Sequence, residues 1–226
     1  MSDTQPELQA KTEEIHRRLR EMYGEPAWRP HLDPVSELVS TILSQNTNDV
    51  NRDVAFDRLR DQLPTWEQVR DAEVDVVVEA IRPAGLANQK GPRIQEALRF
   101  ITQERGELSL DFLADWPVEE AKSWLTSIKG VGPKTAAIVL LFSLGRPAFP
   151  VDTHVHRVTK RLGLIGPRVS RERAHDQLED LVPPANYYAF HLNLIRHGRQ
   201  VCASRKPRCP DCPMRDLCDY YSQLHP

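Results

Sequence analysis

All four cysteines of the chain, Cys202, Cys209, Cys212 and Cys218, lie within its last 25 residues, separated by gaps of six, two and five. Thiols at that spacing can converge on one metal centre. A Cys₄ zinc site and a [4Fe–4S] cluster are the two candidates. Zinc ribbons present two separated Cys-x-x-Cys knuckles and this run has one, which favours iron–sulfur. The flanks are Arg, Lys, Asp and Pro, a poor setting for four buried thiols acting as small hydrophobes. The N-terminus carries no apolar leader segment, and reduced cytosolic thiols do not pair as disulfides. From Arg196 to Arg208 the chain holds Arg196, Arg199, Arg205, Lys206 and Arg208 and no acidic residue. A metal centre that fixed this loop would hold its charge at a defined place against a phosphate backbone.

A second constellation is Leu125-Thr-Ser-Ile128-Lys-Gly130-Val131-Gly132-Pro133-Lys134-Thr135-Ala136. Gly130 can take the left-handed conformation that ends a helix, Gly132 keeps the turn free of a Cβ, and Pro133 suits the first position of the next helix. Leu125, Ile128 and Val131 would lock the two helices together. The new helix N-terminus offers free N–H groups and a positive dipole end to an anion, phosphate above all. Lys134 falls in that first turn. A lysine there can contact phosphate or stay solvated. It can also serve as a nucleophile, because partial burial and the helix dipole disfavour the ammonium and an amine must be neutral to attack. Asp152 follows in Phe149-Pro150-Val151-Asp152-Thr153-His154. It suits an N-cap, and a carboxylate returned near Lys134 could also stabilise a cation or move a proton.

The elements that must position these groups read as helices nearly throughout. Apolar residues recur at helical spacing behind Asp33-Pro34 (Leu38, Val39, Ile42, Leu43), then over 48–63, 66–81, 93–103 and 118–128. Residues 134–144 are apolar on nearly every face and predict a buried central helix. The spans 152–162, 171–181 and 187–200 complete an all-α bundle of about nine or ten helices. Pro64, Pro83-Ala84-Gly85, Gly91-Pro92, Gly145-Arg146-Pro147 and Pro183-Pro184 read as joints.

With 226 residues, 40% apolar and 27% charged, the chain can bury a core without disulfides. Its longest apolar run, Ala136 to Phe142, falls far short of the ~20 residues of a membrane span. The net charge of −2 hides a split: residues 1–120 hold 14 basic and 24 acidic residues, residues 121–226 hold 16 and 8. A basic face built from the C-terminal half is the expectation.

Gly-Val-Gly-Pro-Lys134-Thr, Val-Asp152-Thr-His and the cysteine run, in this order, closely resemble the endonuclease III family of helix-hairpin-helix DNA glycosylases and abasic-site lyases. The likeness runs from about Ile15 to Cys218. It implies a two-lobed all-α fold: a six-helix barrel domain over 28–147, and an iron–sulfur domain from 1–27 and 148–226, with the catalytic residues in the cleft between. By this resemblance Lys134 matches the nucleophile and Asp152 the catalytic aspartate. Cys202, Cys209, Cys212 and Cys218 match the ligands of a [4Fe–4S] cluster. Gln45, in Leu43-Ser44-Gln45-Asn46-Thr47, matches the glutamine that fills the gap left by a flipped nucleotide. Leu86 matches a residue wedged into the duplex, although by sequence alone it reads as a core or turn residue. Gly130 and Gly132 match the phosphate-holding hairpin, and His154 a nearby DNA-contacting position. Arg205, Lys206 and Arg208 are the expected phosphate contacts of the cluster loop.

The implied activity is removal of oxidised pyrimidines such as thymine glycol from double-stranded DNA, followed by β-elimination through a lysine Schiff base. A cytosolic monomer with no membrane partner is expected. Asn46, Asn48 and the acidic N-terminal half depart from the family pattern and bear on lesion preference and nonspecific affinity. Two other readings compete. A mismatch adenine glycosylase shares the fold and cluster but usually lacks the lysine at 134 and carries a further C-terminal domain. A non-catalytic iron–sulfur DNA-binding or electron-transfer module would need neither Lys134 nor Asp152.

Overall fold

The structure, a computed structural model, describes residues 4–224. Among these there are twelve α-helices and no strand. The chain divides into two compact units, Arg29–Arg146 and residues 4–28 with 147–224.

The first unit is organised on α2 (Pro34–Ser44), nine of whose eleven residues are buried. Asp33 caps it by accepting from the Ser36 N–H at 2.9 Å. Around α2 pack α3 (Asp49–Gln62), α6 (Ala87–Arg105) and α8 (Pro133–Ile138), while α4 (Trp66–Asp71) and α5 (Val74–Ala80) lie on α6 and α7 (Val118–Ser127) on α8. Residues 66–81 are therefore two helices and not one. The break is stabilised from outside: the Gln95 amide on α6 donates to the carbonyls of Val69 (3.0 Å) and Ala72 (2.7 Å), groups that a continuous helix would have used itself. Gly91-Pro92 is likewise no joint. The helix starts at Ala87 and runs through Pro92, which costs it a single N–H bond close to the start. Gly91 is needed for packing, because a Cβ there would lie 2.8 Å from the Val78 side chain. The expected central helix begins as α8 and widens into a π-helical turn over Val139–Ser143, every residue of which is buried.

The second unit packs α1 (Gln5–Tyr23) and α9 (Thr153–Leu162) on α11 (Tyr187–Gln200), with α10 (Arg171–Leu181) beside them and α12 (Asp219–Leu224) on α9. Ile15, Leu19, Phe149, Val155, Val158, Phe190 and Leu194 are its sealed core. Arg18 on α1 reaches the cysteine-rich loop, donating to the Pro213 carbonyl at 2.7 Å and to both Asp216 carboxylate oxygens.

Glu37, in the first turn of α2, is 8% exposed, and its Oε2 has no hydrogen-bond partner. Burial pushes its carboxyl up to about 7, Arg52 opposing and Asp33 adding to the rise. The folded state thus holds this proton more tightly than the unfolded chain, whose value is near 4.5. Stability present below pH 4.5 is lost as the pH rises towards 7, by up to about 3 kcal/mol. Glu37→Gln should remove that slope. In urea unfolding, the variant's advantage over the parent should grow by about this amount between pH 5 and pH 8; a difference independent of pH contradicts the assignment.

Candidate functional site

The hairpin is built from the residues that predicted it. Leu125, Ile128 and Val131 are buried, and the Val131 N–H closes the turn on the Ile128 carbonyl at 3.0 Å. Gly130 has φ 86, a left-handed value that a glycine takes without strain. Gly132 has φ −99, open to any residue, and a Cβ there would meet no atom of the protein within 4 Å. Pro133 starts α8, and Lys134 follows it, half-buried, ahead of the buried Thr135, Ala136 and Ala137.

Two loops of the same unit hold Gln45 and Leu86. The Gln45 Nε2 lies 3.5 Å from the Gly130 carbonyl, so the structure brings the glutamine to the hairpin. Leu86 is 49% exposed at the N-cap of α6, where its carbonyl accepts from the N–H groups of Gln89 and Lys90. Both loops carry a non-glycine residue in the left-handed region: Asn46 at φ 54 and Leu86 itself at φ 50. Such residues persist only where their surroundings hold them. Here the holding group is Lys90, 1% exposed on α6. Its Nζ donates to the Leu43 carbonyl (2.7 Å), the Thr47 hydroxyl (2.7 Å) and the Ala84 carbonyl (2.9 Å). The Thr47 hydroxyl in turn donates to the Ala84 carbonyl. Sequence reasoning missed Lys90, since nothing in Ala87-Asn-Gln-Lys-Gly-Pro92 separates a buried lysine from a solvated one. Burial draws its ammonium down to about 8.

Asp152 belongs to the other unit. It caps α9, Oδ1 accepting from the Val155 N–H at 2.7 Å. The segment leading to it is fastened through its backbone. The Phe149 N–H donates to Glu179 (2.7 Å), and the carbonyls of Phe149 and Pro150 each lie 2.8 Å from the Nδ1 of a buried histidine, His175 and His191. His154 is half-buried, its Nδ1 3.1 Å from the Arg157 guanidinium; burial holds its imidazole below the ordinary value, which suits an acceptor towards that cation. Arg157 goes on to the carbonyls of Gly198 (2.8 Å) and Cys202 (3.0 Å), and Arg161 to that of Ala203 (2.8 Å). The helix that Asp152 starts is thereby tied to the cysteine loop.

The four cysteines line one small cavity, with His197, Arg161 and Tyr220 among their neighbours. Among the described residues no three His, Cys, Asp or Glu side chains are gathered as a single bound ion would need. Burial pushes the Cys212 thiol up to about 11 and raises Cys218 as well, so bare thiolates are unfavourable there and a cationic centre would compensate them. An all-sulfur donor set spread around a cavity fits a multinuclear cluster. The loop's cations Arg205, Lys206 and Arg208 are all exposed, and the Arg208 guanidinium also donates to the Gln200 carbonyl at 2.6 Å, which braces the loop.

Residues 39–184 match the model of the HhH-GPD superfamily of base excision DNA repair proteins. The chain is 34% identical to endonuclease III of Escherichia coli K12 over 95% of its length and 98% of that protein's. It is 31% identical to endonuclease III of Thermotoga maritima, over 92% of each. A trapped covalent endonuclease III–DNA intermediate superposes with a TM-score of 0.82 at 26% identity, covering 96% of this chain and 98% of that one. A thermostable thymine-DNA glycosylase shares the fold at a TM-score of 0.79 and 24% identity, over 95% of this chain and 98% of that one. With an all-helical fold, a Gly-x-Gly hairpin opening onto Lys134, and relatives that match along almost their whole length, the chain belongs to the HhH-GPD superfamily and is a base excision DNA glycosylase of the endonuclease III type.

Proposed function

We propose that this glycosylase is bifunctional: it removes oxidised pyrimidines, thymine glycol among them, from double-stranded DNA and cleaves the resulting abasic site as a lyase. The observation that carries the reading is the setting of Lys134, a half-buried amine in the first turn of a helix whose next three residues are sealed in the core. The sealed residues that follow fix its backbone, so the side chain extends from one defined point at the helix start.

The chemistry sets the parts. The stacked duplex hides C1′, so the damaged nucleotide is flipped out, at a cost of a few kcal/mol that is smaller for a base that already stacks badly. Gln45 and Leu86 enter the vacated space. The hairpin and the first N–H groups of α8 receive a backbone phosphate; the room left by the missing Cβ of Gly132 supports this, since nothing in the protein fills it. The neutral Lys134 amine forms a bond to C1′ while the N-glycosidic bond breaks, and its electron pair leaves with the base, which takes up a proton. Loss of the amine proton and opening of the sugar ring give a Schiff base. The iminium acidifies the C2′ proton, and its removal expels the 3′ phosphate, cutting the strand by β-elimination. Asp152 stabilises positive charge developing on the sugar and relays a proton. Cys202, Cys209, Cys212 and Cys218 would hold a [4Fe–4S] cluster. When bound, that group supplies metal–thiolate bonds that lock the loop, and the chain's own part is to present Arg205 and Lys206 to phosphate. His154 acts by bracing Arg157, and Arg208 by bracing the loop. The barrel role falls to 28–147 and the cluster role to 1–27 with 148–226, in a cytosolic monomer.

Lys134→Gln tests the lyase assignment. The variant should give no borohydride-trapped adduct on abasic duplex while keeping its affinity for a duplex bearing a non-cleavable abasic analogue, since one phosphate contact at most is lost. Trapping at the parent rate would remove Lys134 from the mechanism.

Arg205→Gln with Lys206→Gln tests the loop. Binding to damaged and undamaged duplex should weaken in parallel, and the log–log salt slope should flatten by up to about 2 units. Arg208 is left in place because its guanidinium already serves the Gln200 carbonyl. An unchanged slope would make the loop a solvated surface.

A further inference from the structure

Gln45 and Leu86 lie in two separate loops of one unit. The structure ties them to one atom. The ammonium of Lys90 spends its three N–H bonds on Leu43 in the last turn of α2, on Thr47 in the loop after Gln45 and Asn46, and on Ala84 two residues before Leu86. All three acceptors are uncharged, and among the described residues no ion pair involves this lysine. A buried ammonium without a carboxylate is a costly choice for simple core filling, where an apolar residue of similar length would serve. What it supplies is a junction: one cation that joins a helix end and two loops, each strained at a left-handed non-glycine residue. A change in one loop is felt in the other through the shared nitrogen and through the Thr47–Ala84 hydrogen bond.

We propose that Lys90 is a positioning residue for duplex opening: by clamping the 45–47 and 84–86 loops to one another it sets the spacing at which Gln45 and Leu86 enter the helix together. The proposal rests on the insertion role given to those two residues above. Lys90 itself is sealed from solvent and touches neither base nor sugar.

A clamp of this kind matters only when a duplex must be opened. An abasic site in single-stranded DNA leaves no void to fill, yet offers Lys134 the same aldehyde. Borohydride trapping on one abasic oligonucleotide, single-stranded or annealed, therefore separates positioning from folding. Lys90→Met should lose trapping on the duplex by on the order of tenfold or more and retain it on the single strand. Thr47→Val, which keeps the lysine and deletes one of its acceptors, should show the same duplex-selective loss to a smaller degree, and it carries the test if Lys90→Met fails to fold. An equal fall on both substrates, or no fall on either, overturns the proposal. Gln45→Ala with Leu86→Ala is the control for the underlying reading. If that double variant traps normally on the duplex, the insertion role fails and the clamp fails with it; if it loses duplex trapping while Lys90→Met and Thr47→Val do not, only the clamp is overturned.

Discussion

A buried ammonium must find an oxygen for each of its N–H bonds, and at Lys90 that requirement shapes the two loops that carry Gln45 and Leu86. Three acceptors from three segments satisfy it, and in doing so they fix where α2 ends and where two strained loops begin. The same unit places Gln45 against the hairpin carbonyl of Gly130, so the lysine clamp, the glutamine loop and the turn that delivers Lys134 form one connected body. Uncharged acceptors leave the ammonium's own desolvation uncompensated, which is why burial draws it down to about 8. The sequence accepts that cost where it needs a junction.

The other unit solves a parallel problem for Asp152. A capping aspartate is only as well placed as the chain that leads to it, and that chain is extended and makes no helical bonds of its own. Glu179, His175 and His191 take up its backbone groups from α10 and α11, and Phe149 seals it from beneath against Tyr187 and Phe190. From the capped helix, Arg157 and Arg161 continue to the carbonyls of the cysteine loop. Anything that locks that loop also steadies the helix that Asp152 begins. In the function proposed above, a cluster held by the four cysteines would thereby have a mechanical part in the chemistry.

Much of this was legible in the sequence because it depends on local rules. A left-handed glycine, a first-turn proline and three apolar residues make the hairpin; an aspartate before an amphipathic run makes the cap of α9; and α10 and α11 have the bounds that their periodicity predicts. What escaped depends on groups far away in the chain. The break between α4 and α5 is made possible by the amide of Gln95, and the passage of α6 through Gly91-Pro92 depends on Val78 packing against a glycine. The π-helical turn after α8 has no residue type that announces it. Leu86 reads from the sequence as a core or turn residue, and it is the turn reading that holds: it is half exposed, because the backbone that carries it is held from Lys90 rather than by its own side chain. The clustering of the cysteines was legible from their spacing; that the Arg208 guanidinium also donates to the Gln200 carbonyl needed coordinates.

The central claim is that a single amine, that of Lys134, becomes covalently joined to the sugar. Its most direct measurement is peptide mapping by mass spectrometry of the parent enzyme after borohydride reduction on abasic duplex DNA. The account predicts one modified lysine, at position 134, in the peptide that begins after Lys129. Modification at a different lysine, or at the N-terminal amine, would contradict it.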